Sequence, residues 1–170
     1  MSKAERIGAQ WQDVRDGFIR EVELIPGEQM GFKPTAESRS VIEVLQHVIE
    51  SQRMLVGEMC RDNTNFQRGF PALQAEFGVG IKDANTKDAI IDLLRSSFAE
   101  SKATIVAFGD ENFEKDMTRF DGKQCSKFEM LNFAVSHEMY HRGQFTVYER
   151  LLGLEPALTQ FFKKMMSASS

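Results

Sequence analysis

SKFEMLNFAVSHEMYHRGQFTVYERLLG, residues 126–153, decides the fold. Ser126 followed three residues later by Glu129 is a capping box, the pattern that satisfies the free N–H groups at a helix start. Met130, Phe133, Ala134, His137, His141, Tyr148 and Leu152 then share one helical direction at about 100° per residue, and Gly153 with Pro156 ends the run. One long helix therefore carries a mostly apolar stripe with two histidines in it, a turn apart.

The flanking sequence repeats this grammar. Upstream, Ile7, Trp11, Val14, Phe18, Val22 and Ile25 mark a first helix that stops at Pro26-Gly27. Ser40 and Glu43 cap a second, which runs to about Arg61 on Val41, Leu45, Val48, Leu55 and Met59 and carries His47. A turn-rich stretch from Asn63 to Gly80 follows, and its Phe66, Phe70, Leu73 and Phe77 suggest a segment folded over something apolar as part of a pocket wall. Thr86 caps a third helix on Ile91, Leu94, Phe98, Ile105 and Phe108, ending near Gly109. In the connection ENFEKDMTRFDGKQC, residues 111–125, Asp121-Gly122 fits a short hairpin or an irregular loop equally. A short last helix bears Leu158, Phe161, Phe162, Met165 and Met166, which either close the core or meet a second copy. Strand-like alternation is nearly absent. The expected fold is all-α: one domain over residues 1–170, an antiparallel four-helix bundle with a short extra C-terminal helix.

Composition narrows the function. The 170 residues are 42% hydrophobic, enough for a core, and carry a net charge of −4 with dispersed basic residues, which argues against nucleic acid as a partner. The start, MSKAERIGAQWQDV, lacks the apolar run of a secretory signal, and no stretch approaches the roughly 20 apolar residues of a membrane span, so a soluble cytoplasmic protein is expected. Cys60 and Cys125 form no CxxC and read as reduced, packed thiols.

Histidine occurs three times, at His47, His137 and His141. Residues i and i+4 lie on one helix face, so two imidazoles there can hold one ion and a third from another helix can complete the set. Left unpaired on an apolar face, each ring nitrogen would cost about 1–3 kcal/mol, a difficulty that a shared cation removes. Three neutral ligands leave a coordination position open, as in catalytic zinc sites. His137, Glu138 and His141 also match HExxH, the zincin peptidase pattern, which would make Glu138 the catalytic general base. No further histidine follows His141, and Glu149 and Glu155 lie on the same helix or just past its end, so peptidase is the minor alternative. Arg142 and Gln144 flank the ligands and are candidates for orienting a substrate or a ligand ring. Tyr148 shares the ligand face, and Glu43 and Glu50 are placed to accept the second ring proton of His47. Each of these five also has an ordinary role in packing or on a solvated helix surface.

PTAESRSVIEVLQHVIESQ, residues 34–52, and SHEMYHRGQFTVYERLLG, residues 136–153, together with the helix order, resemble the DinB-like (DinB/YfiT) superfamily over essentially the whole chain. The resemblance implies a four-helix bundle, commonly a homodimer, with one divalent ion, zinc or nickel, on His47, His137 and His141. It also implies a metal-dependent thiol transferase or thiol-dependent isomerase acting on a small molecule, with a low-molecular-weight thiol as a candidate substrate, whereas a hydrolase is the generic expectation for an open divalent-metal site. The alternative is a non-enzymatic metal-binding protein of stress response or association, in which the ion merely clamps helices.

Overall fold

In the computed structural model, which describes residues 1–168, the chain forms α1 (Lys3–Leu24), α2 (Val41–Met59), α3 (Phe70–Phe77), α4 (Lys87–Phe108), α5 (Asp110–Phe113), β1 (Asp116–Thr118), β2 (Gln124–Ser126), α6 (Lys127–Leu151) and α7 (Ala157–Ala168). The long helices α1, α2, α4 and α6 are the four expected from the apolar stripes. Their starts are chemically fixed: Ser2 with Glu5, Ser40 with Glu43 and Ser126 with Glu129 form capping boxes, and the Thr86 hydroxyl accepts from the Ala89 N–H. Gly109 and Gly153 end α4 and α6 with positive φ, 81° and 76°, where a side chain would be strained.

Polar contacts give the helix directions. Lys3 meets Asp110 while Arg95 meets Glu23, so α1 and α4 run antiparallel. Lys127 donates to the Arg61 carbonyl and Tyr148 to the Arg39 carbonyl, so α2 and α6 are antiparallel too. The two remaining neighbouring pairs run in parallel: Trp11 bonds Glu138 while Arg142 meets Glu21, and Gln46 bonds Ala84 while Gln52 bonds Ser101. Because α2 and α4 point the same way, residues 60–86 must travel back along the length of α2. That return carries α3, which docks where α2 has no side chain. A Cβ on Gly57 would stand 2.3 Å from the Phe77 ring. The pocket wall expected from the phenylalanines of this stretch is thus partly helical; Phe66 and Leu73 turn into the core.

Between the helices the core is continuous with their stripes, with Trp11 edge-on to Phe98 at 5.6 Å and Phe18 edge-on to Phe145 at 5.1 Å. The Asp121-Gly122 segment is a hairpin: Asp116 pairs with Ser126, Met117 with Cys125 and Thr118 with Gln124, and Gly122 turns with φ 81°. Helix α7 packs on α1 from outside. Its first N–H groups, from Ala157 and Leu158, donate to the buried Glu21 carboxylate. Leu158, Phe161, Phe162, Met165 and Met166 remain exposed, so they do not close the core. Beside Glu21 lies Glu149, fully buried, whose carboxyl is pushed up to about 8 by burial and by the Glu21 charge. No helix among the described residues is long and apolar enough to cross a membrane.

Candidate functional site

Where α2 and α6 pass side by side, the three histidines meet. The His47 ring lies 5.3 Å from that of His137 and 4.8 Å from that of His141, centroid to centroid, and the two α6 rings are 4.5 Å apart. One nitrogen from each falls within 4.8 Å of the others. The Gln144 side-chain oxygen lies 2.9 Å from His141 Nδ1. An amide oxygen only accepts, so Nδ1 carries the proton and Nε2 presents its lone pair. That Nε2 lies 3.2 Å from His137 Nε2. Two nitrogens each about 2.0–2.1 Å from a tetrahedral ion would be roughly 3.3 Å apart, so the α6 pair already has ligand spacing.

Electrostatics point the same way. Burial, with the Arg39 charge and the neighbouring rings adding to it, depresses His47 to about 3; burial, then His141 and Arg39, depresses His137 to about 4. His141 is lowered by burial as well, partly countered by its bond to Gln144. All three are neutral at physiological pH, the form that binds metal. The cluster can hold a metal ion.

Glu138 faces elsewhere. One residue past His137, it is turned about 100° around α6, toward α1, and is 1% exposed. Trp11 Nε1 donates to one carboxylate oxygen at 2.6 Å; Arg15 donates Nε to the other at 2.6 Å and a terminal NH2 to the first at 2.9 Å. Arg15 also donates to the Leu94 carbonyl and the Gln52 side chain, and Gln52 donates to the Ser97 carbonyl and the Ser101 hydroxyl. This network ties all four long helices together. The base expected from HExxH therefore has both oxygens engaged in a dry ion pair, and the motif is divided between two faces of α6.

The remaining candidates separate by contact. Gln144 supports a ligand ring. Arg142 lies against Gly17 and reaches Glu21 at 3.5 Å, a salt-bridge role. The Tyr148 hydroxyl donates to the Arg39 carbonyl at 2.9 Å from a buried position. Glu43 is engaged by its cap and by Lys33, which hold its carboxyl at about 2, and Glu50 accepts from Gln74. Cys60 is pushed up to about 11 by burial, and Cys125 is also raised, so both are protonated thiols.

His47 and His137 open onto a cavity of about 1070 Å³ between α2, the returning segment and the hairpin, whose walls include Arg39, Phe70, Gln74 and Phe133. The sequence reading missed Arg39. Only its place beside the Ser40 cap distinguishes it in the sequence, and its nearness to the histidines is a product of the fold.

The sequence model of the DinB family matches residues 1–169. An uncharacterised protein of Bacillus subtilis (strain 168), YjoA, is 22% identical over 134 residues, spanning 77% of this chain and 79% of YjoA. Its crystal structure, described as DinB-like, superposes with a TM-score of 0.65 at 18% identity over 87% of this chain and 92% of that one. A DinB-like protein from Bacillus cereus superposes at 0.68, with 14% identity over 88% and 93%. A mycothiol-dependent maleylpyruvate isomerase superposes at 0.66 and 15% identity, covering 82% of this chain and 59% of the isomerase. At these identities the superpositions establish a shared fold.

Proposed function

The chain belongs to the DinB family, and we propose that it is a divalent-metal-dependent enzyme that acts on a small molecule through thiol chemistry, with His47, His137 and His141 as the ligands of one zinc or nickel ion. The observation that carries this reading is a cluster of three imidazoles, two of which, His47 and His137, line a large cavity while His141 lies buried beside them. Bound there, a divalent ion would supply Lewis-acid chemistry and favour the deprotonated form of a thiol or water at an open position.

The chain's own residues do the rest. Gln144 fixes the His141 tautomer so that Nε2 faces the other rings. The Arg15–Glu138 pair holds α6 against α1 and thereby sets the height of the histidines; Glu138 acts as a positioning residue rather than a base. Phe70 and Phe133 limit water around a bound substrate. The shared fold of the mycothiol-dependent isomerase favours a thiol over simple hydrolysis. A helix clamp is disfavoured because the histidines border an open cavity and the core packs without help from an ion. A cytoplasmic homodimer belongs to the same reading, with the exposed apolar residues of α7 available to a second copy.

The test is consumption of a low-molecular-weight thiol with an aromatic electrophile, measured on protein as purified, after chelation, and after return of zinc or nickel. Turnover that disappears on chelation and returns with metal is the expected result. Metal-replete protein inert toward thiols but active on an ester would move the assignment to hydrolysis.

A further inference from the structure

We propose that Arg39 is the residue that selects the substrate, and that the small molecule bound at the histidine site carries a carboxylate which Arg39 takes. The inference rests on the metal-dependent reading above and adds the substrate's charge.

Charge balance makes the case. Three neutral imidazoles leave a divalent ion its full charge. Arg39 places another positive charge beside them: it lines the same cavity as His47 and His137, and its field reaches all three rings. A guanidinium next to a dication is unfavourable unless an anion lies between or alongside them. The acids nearby are turned to other groups. Glu138 is paired with Arg15 on the neighbouring, α1-facing side of α6 and Glu43 with Lys33 and its own cap, while Glu50 keeps its charge but directs its oxygens at Gln74 and Gly78 on the return segment. Lys82 and Asp83 are neighbours of opposite charge on the return segment and balance each other locally. Arg39 has no ion-pair partner among the described residues, while its exposed side chain borders the cavity.

Its placement is also built. The buried Tyr148, two turns beyond His141 on α6, bonds the Arg39 carbonyl at 2.9 Å, and the Ser40–Glu43 box starts α2 one residue later. One helix thus carries two of the three ligands and fixes the backbone of the arginine. A planar, permanently charged fork held at that point suits a carboxylate better than a neutral group.

The experiment uses the full chain loaded with cobalt(II), whose visible absorption responds to a new ligand. Mercaptoacetate and 2-mercaptoethanol are titrated in parallel as thiols with and without a carboxylate, on the unaltered protein and on Arg39→Gln and Arg39→Lys. Mercaptoacetate is expected to bind about tenfold more tightly than 2-mercaptoethanol. Arg39→Gln should abolish that preference with 2-mercaptoethanol still bound and with no loss of cobalt affinity, since a neighbouring positive charge is removed, and Arg39→Lys should keep part of it. Equal binding of both thiols by the unaltered protein, or an equal loss of both in Arg39→Gln, would overturn the role of Arg39 and leave the metal site standing. Failure to bind cobalt would remove the metal reading, and this inference with it.

Discussion

Two polar clusters sit on α6 one residue apart and have opposite characters. Glu138 is charged and enclosed, and Arg15, Trp11, Gln52, Ser97 and Ser101 join it in a network that touches every long helix. His137 and His141 are neutral, meet His47, Gln144 and the rings of Phe133 and Tyr140, and bring their nitrogens together beside a cavity. A satisfied network specifies a packing arrangement. A set of imidazole nitrogens converging beside a cavity suits a metal ion. Stability and function are therefore divided between adjacent residues of one helix, and substitutions on the two sides should produce different losses.

The largest effect is expected on the enclosed side. Glu138→Ala leaves the Arg15 guanidinium buried without its partner and should cost about 3–5 kcal/mol by urea unfolding. The double replacement Arg15→Met with Glu138→Leu should recover most of that, since removing both charges removes the desolvation cost. A fully stable Glu138→Ala protein lacking only activity would erase the division and return Glu138 to the chemistry. On the open side, His47→Ala should lower metal affinity by more than about 100-fold, beyond what loss of a supporting group costs, with helicity by circular dichroism unchanged. Gln144→Ala should weaken metal by about 10–100-fold by freeing the His141 ring, and loss of the fold instead would show that Gln144 belongs to the packing.

A separate pair of effects is that of pH on metal-free protein. His47 and His137 fall from an ordinary 6.5 to about 3 and about 4 on folding, so the unfolded chain takes up protons first and stability should drop as pH falls below about 6.5 toward 4. Glu149 moves the opposite way, from 4.5 to about 8, so its contribution is present at low pH and is lost as pH rises through 8. Thermal melts across this range should show both limbs, with Glu149→Gln flattening only the alkaline one. A flat acid limb would mean that the histidines are not shielded from water as their burial implies.

Much of this division was legible in the sequence. Capping boxes and apolar stripes are local, so Ser40 with Glu43 and Ser126 with Glu129 placed two helix starts correctly, and the i, i+4 histidines announced their shared face. What escaped is tertiary. HExxH reads identically whether its glutamate faces the histidines' ligand or a buried arginine, and only the packing of α1 against α6 places Arg15 opposite Glu138. The parallel run of α2 and α4 is set by residues 60–86, whose glycines and phenylalanines concealed the short α3. Arg39 is marked by no periodicity at all. Between a short hairpin and an irregular loop at Asp121-Gly122, the choice is made by backbone pairing that a lone Asp-Gly does not dictate.

The claim that three histidines form one metal site is tested most directly by the metal content of untagged protein, by mass spectrometry, for the unaltered chain and for His47→Ala and His141→Ala. Close to one zinc or nickel per chain, lost in both variants while helicity persists, is the expected result. No metal in the unaltered protein even after reconstitution, or full occupancy in either variant, would contradict it.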